Sequence, residues 1–368
     1  MDKRISILGE TYQFIKDNIL KNILFAYNIV EHDNEYVSRL VEIAQGIENL
    51  KVTVSLKEFW NPKIKYDAVI INWPDYLFRW KRDISDTEVE KLIYIFDHYK
   101  KNGTQIITVL HDEYAHHSRS QNRDRIFDIC YQECDVLAHL GNYSLKKYSD
   151  LYKHLPATHK LLFHPSYRSF DLSLSGEKTR NLLDLKKKDF IIIVPGGIRH
   201  QYEEDYVNKI FENIKIKNKK LIYLRASHIN KPAKAFTFSF ISFKLKERYL
   251  QIFKKTSYKY KFLPSPVLSA YFAVSDLIIL PRLDILNSGN VILGTQYDKL
   301  ILGPEIGNIK EWLEKFDQIS IDPNSIQEDS FSKNITGEIL TSLKRTARCA
   351  LVYDDNVIAK QLSDILFM

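Results

Sequence analysis

The sequence predicts an α/β protein of two Rossmann-like domains, each a parallel sheet covered by helices. Three observations carry this expectation. Apolar runs of strand length alternate with segments of helical period through the first half. The alternation restarts after a polar stretch at 169–188. The chain has 368 residues, enough for two cores of ordinary size. Strands and helices alternating at this spacing require parallel sheets with helices on both faces.

The elements follow in order. Residues 21–27 (KNILFAY) form a buried strand and 35–45 a helix. A short strand at 52–54 precedes the buried strand 68–72 (AVIIN), which ends at Trp73-Pro74. Ser85-Asp86-Thr87-Glu88 is a capping box before the helix 89–101, and Gly103 closes that helix. Strands follow at 104–110, ending at His111, then at 136–140 and 161–163. In the second half the strand 189–194 (DFIIIV) ends at Pro195-Gly196-Gly197. Helix 206–214, strand 220–224, helix 269–274, strand 277–280, a helix from Gly289 and strand 300–302 come next. A last helix at about 337–366 is long enough to reach back to the first domain. The expected division is 1–170, a linker at 171–188, a second domain at 189–340, and a returning helix at 341–368.

Composition narrows the class. Hydrophobic residues are 45% and charged residues 27%, as in a soluble globular protein. No run of 18 apolar residues occurs, and the first residues lack the apolar core and cleavage site of a signal peptide. The three cysteines, Cys130, Cys134 and Cys349, are too few for a disulfide framework and suit a reducing, cytoplasmic setting. Cys130 and Cys134, one helical turn apart, read as small buried residues. The net charge of +7 suits nucleic acid, an anionic membrane surface or a phosphate-bearing substrate. With no zinc pattern, RNA-binding strand signature or basic zipper, nucleic acid drops out. Residues 231–260 hold eight Lys or Arg, eight Phe or Tyr and one acid, Glu247. Such a segment can lie on an anionic leaflet, or be an elaborated loop and helix over the second sheet.

The chemistry concentrates at strand ends. Residues 276–294 read as strand, polar loop and helix start. Asn287 can cap that helix, and Ser288, Gly289 and Asn290 can offer backbone N–H groups and the positive end of the helix dipole to a diphosphate. The alternative is an ordinary capped helix. Gly196 and Gly197 allow a sharp turn, and Arg199 would supply a fixed guanidinium fork for phosphate oxygens; Arg225 is a weaker second. The plain alternative is a βα turn with a surface arginine.

Three segments of the second half, in order, carry a family resemblance: 190–199 (FIIIVPGGIR), 262–281 (FLPSPVLSAYFAVSDLIILP) and 287–307 (NSGNVILGTQYDKLILGPEIG). Together they resemble the donor-binding domain of GT-B glycosyltransferases of the family 4 type. The first half resembles the acceptor domain through Asn72-Trp73-Pro74, Thr108-Val109-Leu110-His111, and Phe163-His164-Pro165 with Tyr167. The resemblance implies two parallel sheets facing across a cleft, a nucleotide-sugar donor, and a saccharide or lipid-linked acceptor. It implies surface polysaccharide or glycan assembly, and catalysis without a bound metal or other cofactor. One departure stands out. The family's two glutamates, eight positions apart, align with Leu286 and Gly294, and Asp284 is the nearest acid.

The resemblance orders the remaining candidates. Asp112 or Glu113 would be the base for an acceptor hydroxyl, His111 would serve as base or orient the donor sugar, and Asp75 is a reserve base. The other reading of this loop is a polar turn with solvated carboxylates. Trp73 would stack on a sugar or pack under its loop, and His164 and Tyr167 would line the cleft. The histidines His111, His116, His117, His139 and His164 fit no standard zinc spacing. The rival functions are a nucleotide-sugar epimerase of the same architecture and a non-catalytic partner subunit.

Overall fold

The computed structural model describes residues 20–29, 35–115, 120–174, 176–226, 238–345 and 353–368. The chain divides into two compact units, Met1–Pro165 with Tyr353–Met368, and Ser166–Val352.

The first unit holds strands β1 (Lys21–Phe25), β2 (Leu50–Val54), β3 (Ala68–Ile71), β4 (Gln105–Leu110), β5 (Val136–His139) and β6 (Thr158–Leu161). They pair in parallel in the order β2-β1-β3-β4-β5-β6. Helices α1 (Glu35–Gln45), α2 (Leu56–Trp60), α3 (Asp86–Lys101), α4 (Gln121–Gln132) and α5 (Asn142–Leu151) connect them, with a 3-10 turn at Pro74–Phe78. The capping box forms as the sequence predicts: Glu88 N–H donates to Ser85 Oγ at 3.3 Å and Ser85 N–H to Glu88 Oε2 at 2.9 Å. Gly103 takes φ +68°, the left-handed value that ends α3.

The second unit holds α6 (Gly176–Leu182), β7 (Phe190–Val194), α7 (Gln201–Asn213), β8 (Lys219–Tyr223), α8 (Phe238–Phe253), β9 (Thr256–Tyr258), α9 (Ser265–Val274), β10 (Leu277–Ile279), α10 (Gly289–Gln296), β11 (Leu300–Pro304), α11 (Gly307–Lys315), β12 (Ile319–Ile321) and α12 (Asp329–Ser342). Its sheet is again all parallel, in the order β12-β11-β10-β7-β8-β9. One core cluster, with Ile192, Val194, Ile279, Leu302 and Ile339, fills one face of this sheet, and the alternate residues Ile191, Ile193, Ile278 and Ile301 are buried on the other. The strands are apolar runs because both of their faces are covered.

Three expectations are corrected. The single last helix at 337–366 is two helices, α12 and α13 (Asp355–Leu366), with Arg345 outside both. Helix α13 lies in the first unit, where Arg39 Nη2 donates to both carboxylate oxygens of Asp355 at 2.6 and 2.7 Å. The strand expected at 161–163 lies at Thr158–Leu161; Phe163 N–H goes instead to Gln361 Oε1 on α13 at 2.9 Å. The stretch at 171–188 is a packed part of the second unit. It carries α6, and Arg180 donates to the carbonyls of Asp189 and Val274 at 2.9 and 3.1 Å.

Cys130 and Cys134 are buried; Cys349, His116 and His117 lie outside the described residues. Among the described residues no helix is long and apolar enough to cross a membrane.

Candidate functional site

In the second sheet, β7 and β10 are neighbours whose onward connections run to opposite edges. Such a switch point leaves a crevice beyond the carboxyl ends of the two strands, where ligands of open α/β sheets bind. Both phosphate candidates stand there. Beyond β7 the chain turns at Gly196, with φ +83°, a conformation that glycine adopts without strain. Beyond β10 it runs through Pro281 to Ser288, the N-cap of α10.

Specific contacts join the two loops. Arg282 Nη2 donates to the Gly197 carbonyl at 3.3 Å. A methyl carbon built on Gly196 would sit 3.4 Å from Asn290 Nδ2. Tyr202, in the first turn of α7, donates its hydroxyl to Asp284 Oδ2 at 3.2 Å. Burial, and next the Asp284 carboxylate, push the Tyr202 phenol up to about 12, so it stays a donor at neutral pH.

The loop's N–H groups divide into two sets. Ile198 N–H bonds the Arg225 carbonyl at 2.9 Å. Those of Arg199 and His200 both reach Glu203 Oε2, at 2.6 and 3.2 Å, and Glu203 is fully buried. Those of Gly196, Gly197, Ser288, Gly289 and Asn290 have no protein acceptor among the described residues. Five donors at one switch point, two of them opening a helix, form an arrangement suited to phosphate oxygens. Arg199 rises from the same loop, half-exposed, and Arg225 is exposed with its guanidinium 5.8 Å from the Phe262 ring.

The structure corrects Asn287 as the cap. Ser288 takes the N-cap position, and Asn287 Oδ1 accepts from Asn308 Nδ2 at 2.7 Å. It also shows where the two positions aligned with glutamates lie. Leu286 is buried at 3% exposure, and a Cβ on Gly294 would meet Ile278 Cδ1 and Ile301 Cδ1 at 2.8 Å. Position 294 therefore faces the sheet, not the crevice. Tyr167 is elsewhere in this unit: its N–H donates to Gln296 Oε1 at 2.8 Å and its carbonyl accepts from Gln296 Nε2 at 2.9 Å.

The first unit gathers its candidates in the same topological position, beyond β1, β3 and β4. Tyr36, on α1, is the hub. Its ring lies 4.4 Å from His111, 4.8 Å from His164 and 6.0 Å from Trp73, centroid to centroid. Trp73 and His111 pack at 4.6 Å, and Trp73 is 8% exposed, so it sits under the loop and offers no open stacking face. His164 donates Nδ1–H to the Pro165 carbonyl at 2.7 Å; burial lowers its pKa to about 4, so it is neutral at pH 7. Asp112 is nearly buried, and its carbonyl accepts from the Tyr131 hydroxyl at 2.6 Å. Glu113 pairs with Lys147 at 2.5 Å.

Asp75 is corrected as a reserve base. It is buried, and Arg123 Nη2, fully buried too, holds its Oδ2 at 2.9 Å. A carboxylate locked in this pair cannot reach an acceptor hydroxyl. The sequence reading missed Tyr36, Arg123, Tyr202, Arg282 and Asn308. Only Arg282 carried a signal, being the first residue after Pro281 at the end of β10. Among the described residues no group of three or more His, Cys, Asp or Glu side chains could hold a metal ion.

No family model matches the chain, and no curated protein matches it in sequence. Solved structures do match in fold. The chain is similar to sucrose-phosphate synthase from Thermosynechococcus elongatus, with TM-score 0.60 and 10% identity over 94% of this chain and 98% of that one. It is similar to Anabaena HepE in complex with UDP-glucose, at 0.59 and 11% over 94% and 99%. It is similar to the catalytic domain of starch synthase IV from Arabidopsis thaliana bound to ADP and acarbose, at 0.59 and 8% over 95% and 99%. The fold, two six-stranded parallel sheets flanked by helices, is the GT-B fold of these glycosyltransferases.

Proposed function

We propose that the protein is a glycosyltransferase that moves a sugar from a nucleotide-sugar donor to a saccharide or lipid-linked saccharide, in the assembly of a polysaccharide or glycan. One observation carries this reading: five backbone N–H groups without protein acceptors among the described residues, at Gly196, Gly197, Ser288, Gly289 and Asn290, converge at the β7–β10 switch point. The comparisons support it, since one structure of similar fold holds UDP-glucose and another ADP.

In this reading the donor diphosphate lies across the two loops. N–H groups, the α10 dipole and the Arg199 guanidinium stabilise the charge that develops on the leaving nucleotide diphosphate. That stabilisation is the main catalytic contribution, and it needs no metal or other cofactor. The acceptor hydroxyl gives its proton to Asp112 or Glu113 beyond β4. His111 and His164, held against Tyr36, shape the acceptor side. The reaction takes place on the cytoplasmic side, where nucleotide sugars are the donors.

The test is turnover against a panel of nucleotide sugars. Release of nucleoside diphosphate that rises on adding a saccharide acceptor supports transfer. Release that is unaffected by any acceptor favours an epimerase. Tight donor binding without any release would identify a non-catalytic subunit.

A further inference from the structure

Helix α8 is 16 residues long and has no buried residue. Its two faces differ in what they meet. Phe240, Phe243, Glu247 and Leu250 are half-buried and recur at helical spacing. Phe243 packs at 5.7 Å from the Tyr260 ring, so this face is turned to the domain. On the opposite face Phe238, Ile241, Leu245, Tyr249 and Ile252 form a stripe with exposures of 88, 50, 64, 51 and 46%. At 100° per residue these five fall within about 80° of one another, centred opposite the Phe243 face.

Charge surrounds the stripe with one sign. Lys244 and Arg248 flank it on one side and Lys246 on the other, all exposed. The helix's one acid, Glu247, is on the inner face and pairs with Lys244. The stripe also borders a cavity of about 570 Å³, which has Ile252 in its wall. Lys186, Lys188, Lys219, Lys220, Lys255 and Lys259 line that cavity, against two aspartates. Lys220 pairs with Asp189 at 2.6 Å, and Lys219 donates to the carbonyls of Phe211 and Ile214. Lys186, Lys188, Lys255 and Lys259 form no ion pair among the described residues.

We propose that the second unit docks on an anionic phospholipid surface through α8, with the lysine-lined cavity receiving a lipid phosphate head group. An apolar stripe between basic flanks suits a helix lying in the plane of the interface, its side chains at the acyl boundary. Sixteen residues span about 24 Å, less than the roughly 30 Å of a hydrocarbon core, so the helix lies on the membrane rather than through it. The surrounding lysines match anionic head groups, whereas a neutral partner would leave them desolvated without counter-charge. Residues 231–237 of the basic aromatic segment lie outside the described residues and are not needed for the argument.

The inference stands apart from sugar transfer and is tested without turnover. The full chain is sedimented with vesicles of phosphatidylcholine alone and of phosphatidylcholine with phosphatidylglycerol, at low and high salt. Binding to the anionic vesicles, at least tenfold weaker to the neutral ones and released by salt, is expected. The double variant Leu245→Ser, Tyr249→Ser should abolish binding with an unchanged melting temperature. Lys255→Ala with Lys259→Ala should weaken it severalfold while the stripe stays intact. No binding to either vesicle overturns the proposal. Equal binding to both also overturns it. So does a concentration-dependent oligomer that the stripe variant dissolves, which would make α8 a protein interface.

Discussion

The guanidinium of Arg282 donates to the carbonyl of Gly197 at 3.3 Å, and so ties the loop after β10 to the loop after β7. The bond holds the two sets of N–H donors in one crevice. Removing it should loosen the crevice. Arg282→Ala should weaken nucleoside diphosphate binding by about 10- to 150-fold, the equivalent of the roughly 1.5–3 kcal/mol of a charged hydrogen bond. Calorimetric affinity equal to that of the parent protein would show that the tie does not shape the site.

The Asp75–Arg123 pair gives a second prediction. Breaking a buried pair leaves an uncompensated charge and costs about 3–5 kcal/mol. Arg123→Met should therefore lower stability by that order, seen in denaturant unfolding. Asp75→Asn should also destabilise, yet keep turnover per folded molecule. A stable Asp75→Asn variant with turnover lost would restore Asp75 as the base.

A third prediction concerns acid. Burial lowers His139 to about 3 and His164 to about 4, from 6.5. His139 stacks on His159, with Nε2 and Nδ1 2.9 Å apart, and the His159 pKa is lowered by burial too. Below 6.5 the unfolded chain takes up protons that the folded histidines refuse. Stability is thus full above pH 6.5 and falls as pH drops toward the folded values. Near pH 5 the loss is on the order of 2 kcal/mol for each of His139 and His164. Melting temperatures between about pH 7.5 and 5 read this directly, above the range where carboxylates titrate. A flat profile would contradict the burial of both rings.

The glycines around α10 give a fourth. A Cβ on Gly307, at φ +48°, would stand 2.7 Å from the Leu286 carbonyl oxygen. Gly307→Ala should cost about 1–3 kcal/mol. Gly294→Glu should destabilise by overpacking against Ile278 and Ile301 and by burying a carboxylate. A Gly294→Glu variant that melts normally and turns over faster would mean that α10 presents position 294 to the crevice.

The strands were legible because those buried on both faces are unbroken apolar runs, such as Ile191–Val194, closed by Pro195, and Ala68–Ile71, closed by Asn72-Trp73-Pro74. The capping box at Ser85 and the glycine turn at Gly196 were legible because local backbone chemistry dictates both. The break before α13 was not, because the helical pattern runs on across residues that tertiary contacts, among them Arg39 with Asp355, divide. Tyr36 and Arg123 carried no local sign of their roles: one looks like any aromatic on an amphipathic helix, the other like a surface base. Their partners, His111 and Asp75, are 75 and 48 positions away. The outward stripe of α8 was hidden because both faces of that helix are apolar; only packing separates Phe243 from Leu245.

The central claim is a diphosphate site at the β7–β10 switch point, and isothermal titration of the full chain with UDP, ADP, GDP and their sugar conjugates tests it most directly. One nucleoside diphosphate should saturate at a single site. Its affinity should fall by about tenfold or more in Arg199→Ala, the expected cost of a lost charged hydrogen bond. Gly289→Val should lose binding altogether, because a branched side chain would fill the phosphate's approach to the α10 N-terminus. Binding by none of these nucleotides, or binding of equal strength in both variants, would contradict the site.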